Sequence, residues 1–491
     1  MAVNIETNVL YYGDNLIWLR NHDCFPNESV DLVYLDPPFN SNADYNVIFN
    51  EPSGEESQAQ IKAFDDTWRW EKTASEEALR DLGRAGGNPQ IVEYIQWLAK
   101  RGDKQSTSMA AYLSMMAVRL IELNRVLKSS GSLYLHCDPT ASHYLKVVLD
   151  TIFGAKNFRN ELIWHYRKWS TGKLQFQRNH DVILFYSRTQ STERVFNQLY
   201  MERAESTKKR FGESKILSGR DENGRRLPSQ IEDEDSVGAR QDDVWEISRV
   251  PPIKQLFPTE KPAALLDRII AASTGKNSVV LDPFCGCGTT IIAAQKARLK
   301  WIGIDVTWLA IDLVEKRLKE SYGKKAQSMY LVKGQPVDVS SARALANKSK
   351  KEFEIWAISL VGAASREHDG GVDGLLSIAE GKGKSTKVIV QVKGGKSINP
   401  GMVRDLMGTI EKEKAAIGLL ITLEEPTAGM RELATHTGSY ESPIWHRSYP
   451  RIQIKTIKDL LEGRGFDLPY GESPLKKASP INEEGINGKL L

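Results

Sequence analysis

Several short runs in this chain are apolar almost without interruption, and helical patterns follow many of them. They are DLVYLD (31–36), GSLYLHCD (131–138), DVILFYS (181–187), SVVLDPF (278–284) and WIGIDV (301–306). A strand with one wet face alternates apolar and polar residues, whereas a strand covered on both faces does not. Runs of this kind, separated by helices, predict an α/β fold with a parallel sheet buried on both sides. The stretch TSMAAYLSMMAVRLIELNRVLK (107–128) has amphipathic helical spacing and leads into the run at 131.

A chain of 491 residues is too long for one ordinary core, so two or three domains are expected. The run of strands ends before SSARALANKSKKE (340–352), where the pattern becomes charged and reads as a linker. A new apolar block begins at Phe353. This divides the chain into a first domain over 1–340, a smaller one over 341–465 and a flexible tail over 466–491, rich in Pro, Gly and Lys. Two polar stretches interrupt the first domain: one at about 50–105, with Phe64, Trp68 and Trp70, and one at 188–250, which lacks clear strands.

Composition excludes several classes. Hydrophobic residues make up 41% and charged residues 26%, with a net charge of +3, which is globular and permits nucleic-acid binding without arguing for it. Cys24, Cys137, Cys285 and Cys287 are too scattered for a disulfide framework, and the C-x-C at 285–287 has no second pair to complete a zinc site. A reducing cytoplasm is the expected location. The N-terminus lacks a signal-peptide pattern, and no apolar run approaches the ~18 residues of a membrane span.

The stretch SVVLDPFCGCGTTIIAAQKA places a strand at 278–282, a loop with Gly286 and Gly288, and a helix from about Thr289. A glycine-rich turn there lets a ligand approach the backbone at the positive end of the helix. The third glycine of the dinucleotide fingerprint is absent, as is the Gly-Lys-Ser/Thr of a phosphate loop. The next strand ends on Asp305, where an acid binds ribose hydroxyls. A nucleoside without phosphates suits this pocket, and S-adenosylmethionine fits that description.

The strand 31–35 ends on Asp36-Pro37-Pro38-Phe39. With the Phe284-x-Gly286-x-Gly288 loop, this tetrapeptide resembles the paired signatures of the amino-group DNA methyltransferases. The catalytic motif precedes the cofactor motif, an order similar to that of the beta group of that family. Gly13-Asp14-Asn15 and PTEKPAALLDRII (258–270) resemble further family segments. The resemblance covers roughly 8–335 without the insertions. It implies a Rossmann-like S-adenosylmethionine-dependent methyltransferase domain that methylates an exocyclic amino group in double-stranded DNA. It implies catalytic roles for Asp36, Pro37, Pro38 and Phe39, and cofactor contacts from Asp14, Thr259, Lys261, Pro262, Asp282, Phe284, Gly286, Gly288, Thr289 and Asp305. Asp at the first motif position favours adenine N6, and cytosine N4 stays open. Target recognition would fall in 188–250, where Lys208, Lys209, Arg210, Arg220, Arg225 and Arg226 could meet phosphates and bases, although the acidic 232–236 would repel them. The resemblance also implies action in restriction–modification at the nucleoid, and leaves open a homodimer and a separate restriction subunit.

An exocyclic nitrogen is a poor nucleophile because its lone pair is delocalised into the ring. Asp36 and the Pro37 carbonyl would accept its two hydrogens and aim the lone pair at the methyl group, held still by the two prolines. Phe39 would stack on a base flipped out of the duplex. Carbon methylation of cytosine needs a cysteine after a proline, and no Pro-Cys dipeptide occurs. Protein-amide and RNA methyltransferases use similar Pro-Pro loops but usually with the opposite motif order.

Beyond Phe353 come FEIWAISLVG, GGVDGLLSI and KVIVQVKGGK. Asp373 begins one strand, and Gln391 and Lys393 lie two apart, on one face of the next. This resembles the restriction-endonuclease-like PD-(D/E)XK fold, in the branch with Gln at the second acidic position. It implies that Asp373 holds Mg²⁺, that Lys393 orients water or stabilises the phosphorane, and that Glu354 is the acid of the preceding helix. Cutting and non-cutting readings both remain open. Arg404, Lys412 and Lys414 could lie along a DNA-facing helix, and an exposed charged helix face has the same pattern.

Overall fold

The computed structural model describes residues within 5–37, 80–83, 88–251, 260–365 and 372–472, short gaps in those spans excepted. Pro38, Phe39, Phe64, Trp68, Trp70, Arg220, Arg226 and Thr259 lie outside the described residues, as does the tail beyond 472.

Nine strands form the first sheet: β1 (Val9–Tyr12), β2 (Val30–Leu35), β3 (Leu127–Cys137), β4 (Phe158–His165), β5 (His180–Ser187), β6 (Val244–Glu246), β7 (Val279–Asp282), β8 (Lys300–Asp305) and β9 (Leu331–Lys333). Their order is β6-β4-β5-β3-β2-β7-β8-β1-β9. Every neighbouring pair is parallel except the two that β5 makes with β3 and β4. The wholly parallel expectation is thus corrected at one strand. β5 returns from β4 through the connection 166–179 and slots between β4 and β3. Its residues are covered on both faces like those of its neighbours, so its sequence does not reveal its direction.

Alternation along each strand divides the interior. Leu32 and Tyr34 join one hydrophobic core with Leu10 and Val280. Val33 and Leu35 join another with Val9, Tyr11, Leu281, Ile302 and Ile304, on the side packed by the long helix Lys104–Val126. Asp103 caps that helix by accepting from Ser106 N at 2.8 Å. Part of the polar stretch at 50–105 is also helical, over Pro89–Lys100. The stretch 188–250 holds more structure than its composition suggested, including a helix at Glu205–Phe211 and the paired strands Ser214–Leu217 and Gln230–Asp235.

A second sheet has β10 (Ala364–Ser365), β11 (Gly374–Gly381), β12 (Lys384–Lys393), β13 (Ile417–Thr422) and β14 (Ile452–Thr456), paired in that order. Its first two pairings are antiparallel and its last two parallel. Gly471–Glu472, in the region expected to be a loose tail, pairs with β11.

The expected linker at 340–352 is helical instead. Val339–Lys348 starts with a capping box between Asp338 and Ser341, and Lys350–Ser359 is capped by Ser349. Ala342, Leu345 and Ala346 form the inward stripe, and the charges that suggested a linker lie on the other faces. One hydrophobic cluster runs from Leu10, Trp301 and Trp308 through Phe353 and Trp356 to Val388, Val390 and Val392 of the second sheet. Trp356 is fully buried in it. Trp356→Ala should cost about 3–5 kcal/mol, read as a lower denaturant midpoint for the part of the chain that unfolds with the second sheet.

Candidate active site

β2, β7, β8 and β1 are neighbours and parallel, so their C-terminal ends open on one edge of the sheet. Asp36, Asp282, Asp305 and the segment Gly13-Asp14-Asn15 all emerge there. Ligands of open parallel sheets bind at this kind of edge.

The loop between β7 and the helix Thr289–Lys296 is shaped by glycines. Gly286 and Gly288 have φ of 48° and 76°. A β-carbon on Gly288 would lie 2.6 Å from Val314 Cγ2, so only glycine fits. A β-carbon on Gly286 would meet nothing within 4 Å, which leaves open space over the loop. The Gly286 N–H donates to Asp305 Oδ2 at 2.9 Å, and Thr307 donates to Asp305 Oδ1 from both N and Oγ1 at 2.9 Å. Phe284 N donates to Asp282 Oδ1 at 3.1 Å. Burial, with the charges of Asp36 and Asp305, pushes the Asp282 carboxyl up to about 7, and burial also raises Asp305.

Around the loop stand Asn15, from the Gly13-Asp14-Asn15 segment, and two residues that no local motif marks, Arg119 and Arg317. Asn15 Nδ2 donates to Pro283 O at 2.6 Å. The buried Arg119 ties Asn15 Oδ1 (2.6 Å) to Asp14 Oδ1 (2.8 Å). Arg317 donates to Cys287 O at 2.9 Å and pairs with Glu260 at 3.2 Å, which fixes the segment carrying Lys261.

Lys261 was expected at the cofactor, but its ammonium makes an ion pair with Asp36 Oδ2. The other oxygen, Oδ1, lies 3.9 Å from Nδ1 of the fully buried His136. Nδ1 is 3.0 Å from the Tyr34 hydroxyl, and Nε2 is 3.2 Å from Asp181 Oδ2. Tyr166 donates to Asp181 Oδ1 at 3.0 Å. Burial acts to raise the Asp181 carboxyl, but hydrogen bonds and charge from His136, with the charge of Lys261, hold it below its ordinary value. This His136–Asp181 pair behind Asp36 needs β3 and β5 side by side, a pairing that two separate sequence runs do not declare.

In the second sheet, Asp373 precedes β11, and its Oδ2 accepts from Val392 N at 2.7 Å. Glu354 is raised by burial first and by the Asp373 charge second, and Lys350, Lys351 and Lys393 act against that rise. Glu354, Asp373 and Lys393 therefore share one electrostatic neighbourhood. Gln391 is buried on β12, two residues before Lys393. Among the described residues, no group of three or more His, Cys, Asp or Glu lies close enough to hold a metal ion. Lys208, Lys209 and Arg210 sit on the helix Glu205–Phe211, with Lys208 3.5 Å from Glu202. No described helix is long and apolar enough to cross a membrane.

A sheet with this edge, a glycine loop and an Asp-Pro pair after its central strand defines the class of amino-group methyltransferases. Residues 30–316 match the model of the N6/N4 methyltransferase family, described as DNA methylase, and the chain belongs to that family. Residues 345–462 match a model described as NACHT-associated inactive Restriction Endonuclease 1. The type II methyltransferase M.HinfI of Haemophilus influenzae is 25% identical over 324 residues, 65% of this chain and 70% of that protein. The DNA adenine methyltransferase YhdJ of Escherichia coli (strain K12) is 24% identical over 332 residues, 67% of this chain and 88% of that protein. The type II methyltransferase M.EcaI of Enterobacter cloacae is 29% identical over 265 residues, 42% of this chain, and the chain spans only 57% of that relative's length.

Two outcomes follow from the loop. Gly288→Ala should destabilise the first sheet by about 1–3 kcal/mol, from forced left-handed backbone and the Val314 contact, measured by denaturant unfolding. Because the Asp282 pKa is raised, its contribution to stability is full below the unfolded value near 4 and is lost as pH rises through about 7. Thermal scans from pH 5 to 8 should show a shallower decline for Asp282→Asn than for wild type.

Proposed function

We propose that this chain is a site-specific methyltransferase that transfers the methyl group of S-adenosylmethionine to adenine N6 in double-stranded DNA, within restriction–modification. The ion pair at Asp36 carries the reading: a carboxylate followed by a proline carbonyl, at the edge beside the glycine loop, is already engaged with an ammonium donor. The amino group of a flipped base presents the same chemistry to the same oxygen.

The residues present suit the cofactor. Arg119 answers Asp14 and Lys261 answers Asp36, while the described partners of the Asp282 and Asp305 carboxylates are N–H and hydroxyl donors. A ligand with a sulfonium, an ammonium and ribose hydroxyls matches that surplus of negative charge; a phosphorylated nucleotide does not. Asp305 would hold the ribose, and the Gly286–Gly288 backbone would allow close approach. When bound, the cofactor supplies an electrophilic methyl group.

Asp36 Oδ2 must exchange Lys261 for one amino hydrogen of the base, while the Pro37 carbonyl takes the other. The two acceptors favour a pyramidal nitrogen with its lone pair directed at the methyl group. Positive charge grows on that nitrogen during transfer, and Asp36 stabilises it. The proton later released has Asp36 as its nearest acceptor, with the His136–Asp181 pair behind. Adenine is favoured over cytosine by the Asp that opens the motif.

The boundary between the two domains falls near 340, and the second domain does not cut DNA. Gln391 supports this, since a neutral amide is a poor metal ligand where the fold's nucleases use a carboxylate. The matching model is itself described as inactive.

Expression in a host without DNA methylation, followed by long-read mapping of modified bases, should give methyladenine at one recurrent motif. Methylcytosine at N4 would reverse the base assignment, and no modification would refute the DNA substrate. Asp36→Ala should lower kcat/KM by about a hundredfold or more. Lys393→Ala should leave methylation unchanged, and wild type with Mg²⁺ should leave methylated and unmethylated plasmids intact; cleavage would refute the non-cutting reading.

A further inference from the structure

Glu352 lies on the helix Lys350–Ser359, which packs on the second sheet, yet its carboxylate serves the first. Oε2 accepts from the Tyr12 hydroxyl at 2.9 Å and from the Trp308 backbone N–H at 3.2 Å. These two donors flank Asp305. Tyr12 is the register partner of Asp305 across β1 and β8, and the N–H of Gly13, the next residue, bonds Asp305 O at 2.8 Å. Trp308 opens its helix directly after Thr307, the residue that caps Asp305 Oδ1.

The Trp308 ring meets Tyr12 edge-on, with centroids 5.4 Å apart, and its Nε1 donates to Ser359 Oγ at the far end of the same helix. One helix of the C-terminal part is therefore bonded, through both ends, to the two chain segments that frame Asp305. The Glu352 Oε1 atom is buried and has no hydrogen-bond partner among the described residues. Burial raises the Glu352 carboxyl above its ordinary value, and the Asp305 charge adds to the rise. The two donors to Oε2 offset part of the cost of burying this carboxylate, and that ties its burial to the positions of Tyr12 and Trp308.

We infer that Glu352 is a positioning residue for the cofactor: by holding Tyr12 and Trp308 it sets the pocket wall around Asp305, so the C-terminal part belongs to the cofactor site. This rests on the reading of S-adenosylmethionine as cofactor. A purely structural contact predicts that its loss lowers stability and weakens every ligand together. A positioning role predicts a selective loss.

The test uses the full chain and titration calorimetry, with S-adenosylmethionine and separately with a duplex carrying the mapped motif. Glu352→Ala should weaken cofactor binding roughly tenfold while duplex affinity stays within about twofold. Glu352→Gln, which keeps an acceptor oxygen, should recover most of that loss. Tyr12→Phe removes a single hydroxyl and carries the test if Glu352→Ala does not fold; it should weaken cofactor binding several-fold. Unchanged cofactor affinity in the folded variants overturns the inference, and so does an equal loss for cofactor and duplex. A wild-type chain that does not bind S-adenosylmethionine overturns the cofactor reading and this inference with it. That failure appears in the wild type, the others only in the variants.

Discussion

Asp36, Asp282 and Asp305 end three neighbouring strands on one edge, and Asp282, buried between the other two, is the one whose ionisation their charges make more costly. The effect is seen at Asp282, where burial and the other two carboxylates act in the same direction. Much of the local structure answers that crowding. Gly286 turns its N–H to Asp305, Thr307 gives Asp305 two donors, Phe284 gives Asp282 one, and Lys261 neutralises Asp36. The left-handed backbone at Gly286 and Gly288 thus shapes the loop, points donors inward and leaves open space above. A cationic ligand at this edge would offset the same crowding, which is the sign of charge that the proposed cofactor carries.

What the sequence made legible follows from the range of its signals. Strands β2, β3, β7 and β8 were readable because burial on both faces writes itself into consecutive residues. Asp36, Gly286, Gly288 and Asp305 were readable because each motif lies within one turn of chain. The direction of β5 was not readable, since strand polarity depends on where the returning chain finds space. The stretch 340–352 reads as a linker for a related reason: Ala342, Leu345 and Ala346 form a narrow apolar stripe among charges, and a stripe identifies a core helix only once a partner surface is known.

The site residues divide in the same way. Lys261 was placed by its motif but not by its partner, because Asp36 is far away in the chain. His136 and Asp181 become a pair only through the β3–β5 register, in which His136 stands opposite Ile183 and Cys137 opposite Val182. Asn15, Arg119, Glu260 and Arg317 hold the loop by long-range bonds that no local pattern announces. In the second sheet, the spacing of Gln391 and Lys393 was visible, but the Val392 N–H that engages Asp373 was not.

The two sheets do not behave as beads on a string. A hydrophobic cluster passes through Trp301, Trp308, Phe353 and Trp356 from one sheet to the other, so opening either exposes apolar surface on both. Loss of the second sheet with its helices would strip the helix Trp308–Tyr322 of part of its cover. Glu352 adds a polar link where the shared core reaches the segments around Asp305. The second sheet is thereby bound to the edge that carries Asp305 by packing and by hydrogen bonds to Tyr12 and Trp308.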